Sequence, residues 1–197
     1  MFINYLKIAW RNLWQNKVLS FINIAGLALG MASAALLIMN IQHELSFDQF
    51  HTRKNHIYKA YNKGVVNGNL ECWNVTAPPL APALKQEYGE IKNSVRVSGT
   101  EKLLAYGDKK LKAGGNFTDA AFLSMFSFPL VKGTAGNALA DIHSIVITEA
   151  LAKKLFGTED PINKIIRADN ADNFTVTGVL KDLPYNTEFR FEYLLPW

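Results

Sequence analysis

Residues 18–41 (VLSFINIAGLALGMASAALLIMNI) make an unbroken run of 24 positions without one charged side chain. At about 1.5 Å per helical residue the run reaches roughly 36 Å, enough to cross a hydrocarbon core of about 30 Å with some tilt. It therefore decides which compartment the other residues inhabit. A buried helix of a soluble protein and a cleaved signal peptide are the competing readings. A signal peptide has an apolar region of about 7–15 residues and a small-residue cleavage site after it. This run is longer, and Gln42, His43 and Glu44 follow it. The reading adopted is a membrane anchor at 18–41.

The flanks orient it. Lys7, Arg11 and Lys17 precede the run with no acidic residue among them, and the first charge after it is Glu44. Positive charge close to one end keeps that end in the cytoplasm. Residues 1–17 are thus expected inside, and 42–197 outside. The chain has 21 basic and 17 acidic residues, so the outer part holds 18 basic against 17 acidic. Its charge is nearly balanced, and no Lys/Arg-rich face suggests nucleic-acid binding. Lys109-Lys110 with Lys112 is the densest basic group and reads as a solvated hairpin. The single cysteine, Cys72, excludes an intramolecular disulfide framework. It is either a small buried apolar residue or an exposed thiol.

Within MFINYLKIAWRNLWQNK, residues Phe2, Tyr5, Leu6, Ala9, Trp10, Leu13 and Trp14 recur at helical spacing, with Lys7, Arg11 and Asn12 elsewhere. This predicts an amphipathic helix at 1–17 in the headgroup plane, with Trp10 and Trp14 in the aromatic belt. Trp10, Arg11, Trp14 and Lys17 are the candidate interfacial residues. They serve as an anchor alone or as a docking surface for a cytoplasmic partner. In the apolar run, Gly26, Gly30 and Ala34 fall every fourth residue. Such a small-residue stripe lets a second helix approach closely, although single Gly-x-x-x-Gly pairs also arise by chance.

The outer part mixes strand and helix signals. Residues 42–56 read as a polar and aromatic stalk. The alternation over 56–66 predicts a strand, and Asn67-Gly68 a turn. Pro82 suits the first turn of a helix through about Tyr88. Short strands are expected at 94–98, 102–106 and 109–113, the last two joined at Gly107-Asp108. A short helix is expected at 119–126. SIVIT at 144–148 reads as a buried strand leading into a helix at 149–156 that Gly157 stops. Further strands are expected at 162–168, 174–180 and near 189–195. Asp119 and Glu149 read as helix-start carboxylates, and Glu159-Asp160 before Pro161 as a turn. The class is α+β.

Several stretches, taken in order, resemble permease subunits of ABC transporters of the MacB/FtsX-like type, in the form common in Bacteroidetes-type bacteria. They are YLKIAWRNLWQNKVLSFINIAGLALG, QHELSFDQFH, TAPPLAPALKQEYGEI, FTDAAFLSMFSFPLVKG, SIVITEALAKKLFG, TEDPINKIIR and FTVTGVLKDLP. The resemblance implies one transmembrane helix followed by a MacB-like periplasmic core domain over 42–197. That domain would be mixed α/β, with a porter-like lobe and an inserted β-rich lobe. The porter-like lobe would combine the first strand, the TAPPLAPAL helix and the C-terminal part. It implies a bacterial inner-membrane location, a separate cytoplasmic ABC-type ATPase as partner, and a homodimer or pseudo-dimer of permease halves. Family members carry at least four membrane helices, so the resemblance implies a fragment of a longer permease.

No P-loop, G-x-S-x-G or H-E-x-x-H motif occurs in the sequence. No catalytic, cofactor-binding or metal-ligating residue is assigned. His43, His51 and His56 lie close in sequence but read as solvated loop histidines. Phe117, Phe122, Phe126 and Phe128 read as core rather than as a ligand groove. The leading function is a permease subunit that couples ATP hydrolysis to extracytoplasmic movement and export of a peptide, drug or lipoprotein-type cargo. The alternative is a single-pass anchored binding or sensor module. A third reading, an anchored enzyme, lacks a candidate nucleophile or metal cluster.

Overall fold

A computed structural model describes residues 2–197. Met1 and the side chains of Phe2 and Leu6 lie outside the described residues. The chain forms two compact units, one ending at Phe47 and one running from Asp48 to Trp197.

The first unit is two helices, α1 (Phe2–Gln15) and α2 (Lys17–Ser46). They part at Asn16, whose backbone (φ −108°, ψ 54°) leaves the helical region. α2 is long and apolar enough to cross a membrane, and none of its residues is buried in the chain. Its 30 residues correspond to about 45 Å. It continues past the apolar run to Ser46, so the first part of the expected stalk is helix. The second part is a turn at 47–50 and a single 3-10 turn, Lys54–His56.

The second unit begins with a detached hairpin of β1 (Asn62–Val66) and β2 (Asn69–Trp73). Asn67 (φ 50°) and Gly68 (φ 81°) both take left-handed backbone, which a two-residue hairpin turn requires. The predicted strand over 56–66 forms only from Asn62. Its partner stops at Trp73, which pairs with Asn62, and Pro78-Pro79 soon follow, so 57–61 find no ladder. α3 (Leu80–Glu87) carries Pro82 in its first turn, where the missing N–H costs nothing.

The remaining strands share one sheet: β3 (Val97–Tyr106), β4 (Lys109–Thr118), β5 (Leu130–Lys132), β6 (Ser144–Thr148), β7 (Ile165–Ala168), β8 (Asp172–Leu180) and β9 (Tyr193–Pro196). The order runs β6-β9-β4-β3-β7-β8 and returns from β8 to β6, with β5 added on β8. The sheet thus closes into a barrel-like ring. The pairs β4–β9 and β6–β8 are parallel, and the other ladders are antiparallel. The mixed α/β class follows the sequence expectation. Within it, the middle strands β3 and β4 join the C-terminal strands in one ring, and β1 pairs with β2 in a separate hairpin.

Every residue of β6 is buried. Side chains alternate across a strand, so such a strand serves two faces. Ile145 and Ile147 join a core with Leu104, Ile166, Val176, Tyr193 and Leu195. α5 (Glu149–Phe156) covers this core with Leu151, Leu155 and Phe156. Its N-cap, Thr148, accepts a hydrogen bond from the Leu151 N–H, and Gly157 (φ 66°) ends it. Val146 faces the other way, into a second core with Phe122, Phe126, Phe128, Leu180, Phe191 and Leu194. Phe122 lies in α4 (Phe122–Met125), one turn of the helix expected over 119–126.

The sequence reading ends β4 at Ala113. The ladder instead runs on to Thr118. A Cβ on Gly115 would stand 2.3 Å from the Tyr193 ring, and that ring is fully buried. Glycine is there for close packing. Overpacking a buried site costs about 1–3 kcal/mol, so Gly115→Ala should lower stability by about that amount. Denaturant unfolding of the full chain in detergent measures it. Gly89→Ala, where a Cβ meets nothing within 4 Å, is the control.

Candidate functional site

The chain enters the second unit through Asp48–Thr52, and this strap is fastened at two places. Asp48 adopts left-handed backbone (φ 53°), a conformation that aspartate tolerates better than most residues. Its N–H donates to the Asn186 carbonyl at 2.9 Å. Its carboxylate accepts the Thr187 hydroxyl and the Glu188 N–H. Thr187 is fully buried. Three residues on, the His51 Nδ1 accepts the Ser127 N–H at 3.1 Å. Thr52 N–H donates to the Ser127 hydroxyl at 3.0 Å, and that hydroxyl donates to Thr52 Oγ1 at 3.1 Å. The apolar members anchor too: Phe50 lies 5.5 Å from Phe128 between ring centres, and His51 lies 5.2 Å from both Phe126 and Phe128.

His51 is 4% exposed. Among the described residues its Nε2 has no hydrogen-bond partner, and Asp48 Oδ1 stands 3.7 Å away. Desolvation pushes its pKa below the usual histidine value and outweighs the opposing pull of Asp48.

The last strand is fastened in a comparable way. The Arg96 guanidinium grips both carboxylate oxygens of Asp119, and the Arg96 N–H adds a 2.7 Å bond. The Thr118 hydroxyl donates to the Arg96 carbonyl, and the Trp197 N–H donates to the Thr118 carbonyl. The guanidinium carbon lies 4.7 Å from the Trp197 ring centre, a cation–π contact. Asp119, read from sequence as a helix-start carboxylate, is instead the acceptor of this clamp. Burial works against its ionisation, but the hydrogen bonds from Arg96 prevail and hold its pKa below the ordinary carboxylate value.

The residues singled out by sequence lie in the first unit. Trp10 and Trp14 stack at 6.4 Å, and Lys17 Nζ sits 5.4 Å from the Trp14 ring centre. Arg11 is exposed. A Cβ on Gly26 or Gly30 would meet nothing within 4 Å, and Ala34 is exposed. The stripe is therefore open along α2. Phe122, Phe126 and Phe128 are core, and Phe117 packs against the other core. Cys72 is an exposed free thiol. Among the described residues, no group of three or more His, Cys, Asp or Glu side chains is placed to hold a metal. The strap and the Arg96–Asp119 clamp escaped the sequence reading. Their one local hint was the polar-aromatic motif SFDQFH.

A carboxylate with a depressed folded pKa contributes stability above its unfolded value of about 3.8, and that contribution is lost as pH falls through the lower folded value. Asp119→Asn should therefore flatten the acid limb of a stability profile below about pH 4. At pH 7 it should cost ~2 kcal/mol, the scale of hydrogen bonds to a charged group. Denaturant midpoints from pH 2 to 7 check both effects.

The family model for the MacB-like periplasmic core domain matches residues 20–197. The pyoverdine export ATP-binding/permease protein PvdT of Pseudomonas syringae pv. syringae is 27% identical over 188 residues, covering 90% of this chain. Its counterpart in Pseudomonas savastanoi pv. phaseolicola is 28% identical over 192 residues, covering 91%. The chain spans only 27–28% of the length of these curated relatives. A crystallised domain assigned to a permease from Porphyromonas gingivalis superposes with a TM-score of 0.53 at 30% identity. That match covers 59% of this chain and 55% of that one. With a match across almost all of its length, the chain belongs to the MacB-like periplasmic core domain family.

Proposed function

We propose that this chain supplies the first membrane helix and the extracytoplasmic body of an export permease, and that it carries movement rather than chemistry. A separate cytoplasmic ABC-type ATPase hydrolyses ATP. The basic flank of Lys7, Arg11 and Lys17 keeps α1 on the cytoplasmic side. There Trp10, Arg11, Trp14 and Lys17 lie at the headgroup level near the ATPase. Gly26, Gly30 and Ala34 form the face on which a second permease helix packs, within a homodimer or pseudo-dimer of halves. The cargo is of peptide, drug or lipoprotein type. The Pseudomonas relatives, named for pyoverdine export, support a secreted compound of that class.

The observation that carries this reading is the strap. Two residues past the end of α2, Asp48 is bonded to 186–188, and His51 to Ser127 soon after. The entry segment of the second unit is thus fastened to the body and not slack. A flexible linker would absorb the movement.

Two measurements test the reading. Purified from membranes in mild detergent, the chain is expected to retain a P-loop ATPase; consistent purification without one overturns the coupling role. The exposed Cys72, the single cysteine of the chain, reports topology without any mutation. A membrane-impermeant maleimide should label it in cells with an intact inner membrane. Labelling only after lysis would reverse the orientation.

A further inference from the structure

We propose that His51 is an acid-release latch: a proton on Nδ1 breaks the bond that fastens the strap to the 126–128 segment. The argument starts from direction. A backbone N–H can only donate, so Nδ1, which accepts from Ser127 N, must present its lone pair, and the neutral ring carries its proton on Nε2. Protonating Nδ1 sets two donors against each other at 3.1 Å. The ring has little room to escape, because Phe50, Phe126 and Phe128 surround it, with ring centres 4.0–5.2 Å away. Charge on the ring would also lie in a site that is 4% exposed.

The surrounding charges leave His51 with one ionic neighbour. On its own segment, Asp48 stands 3.7 Å from Nε2. That carboxylate is already engaged by the Thr187 hydroxyl and the Glu188 N–H, so it stabilises a cation incompletely. Lys54 Nζ is turned to the Gln49 side-chain oxygen. From the 186–190 segment, the Glu188 carboxylate reaches Lys59 at 3.4 Å, and the Arg190 guanidinium donates to the Phe189 and Tyr185 carbonyls. The 126–128 segment, Phe-Ser-Phe, brings no ionisable group.

The sign follows. With its folded pKa below the ordinary 6.5, His51 binds a proton more readily when the strap is released. Fastening is favoured at neutral pH and weakens as pH falls below that value. If the fastened ring stays neutral at pH 5, the ratio of released to fastened strap rises about 30-fold between pH 7.5 and 5.0. Acid on the body side of the membrane would thus loosen the segment through which the chain enters the second unit.

Hydrogen exchange on the full chain in detergent tests the latch without any transport assay, so its failure is separate from failure of the coupling role. After correction for intrinsic exchange, the Ser127 amide should exchange faster at pH 5.0 than at pH 7.5, by at most about 30-fold. His51→Asn keeps an acceptor near Nδ1 and removes the titration, and should lose most of that acceleration. Equal acceleration in both proteins, or none in the wild type, overturns the latch. Should His51→Asn not fold, nitrogen-15 histidine spectra of the wild type decide. A ring that stays neutral with an accepting Nδ1 as pH falls below 6.5 supports the latch. Titration of His51 at or above 6.5 refutes it.

Discussion

The second unit depends on the two-sidedness of β6 and β9. Val146 sits opposite Leu194, and Ile147 opposite Tyr193. The first pair feeds the phenylalanine-rich core, and the second the core beneath α5. One residue of register slip would exchange the two sets and break both cores at once. Each such apolar side chain contributes about 1.5–3 kcal/mol by leaving water. An exposed ion pair contributes about 0–1 kcal/mol. The surface pairs, such as Glu101–Lys112, are therefore minor, and the alternation in these two short strands sets the register of the ring.

The phenylalanine-rich core also joins the points where force could enter and leave. Phe50 and Ile57, from the strap side, pack against it, as does Val95 beside the Arg96 clamp. Leu194 of β9 belongs to it, three residues before Trp197. The Phe122, Phe126, Phe128, Phe189 and Phe191 rings touch one another through edge and stacked contacts. Such interiors are close-packed and compress little. In the coupling role proposed above, this stiff core would pass a shift of the strap toward the last strand. Hydrogen bonds to Asp48 and His51 set the direction of the strap, while the rings give the connection its stiffness.

The sequence was legible where local rules coincide. SIVITEALAKKLFG carries a β-branched run, a helix and a glycine stop within 14 residues, and each forms as read, with Thr148 as the N-cap between strand and helix. It was misleading along β3 and β4. The reading split β3 into 94–98 and 102–106 and ended β4 at Ala113, yet the two pair continuously over ten residues each; Gly115 of β4 is there for its close approach to the Tyr193 ring. β5 went unread because three residues between Pro129 and Gly133 give no period to detect. The strap was invisible for a different reason. Its partners lie 76 and 139 positions away, and no local pattern marks Ser127 or Thr187 as complementary to His51 and Asp48.

The first unit poses the opposite problem. Its helices were plain in the sequence, but what α2 packs against is not. Apolar residues cover it on all sides, so polarity names no preferred face; helices apolar all round are buried in protein or in lipid. What distinguishes one side is shape. Gly26, Gly30 and Ala34 remove side-chain bulk along a single line, and nothing in the chain fills the space above the two glycines. In lipid, association draws on close packing and not on water exclusion, which is why this line is proposed as the face for a neighbouring helix. The two units thus store their information differently. The body is specified by alternation of polarity along β6 and β9, and the membrane helix by alternation of size along one face.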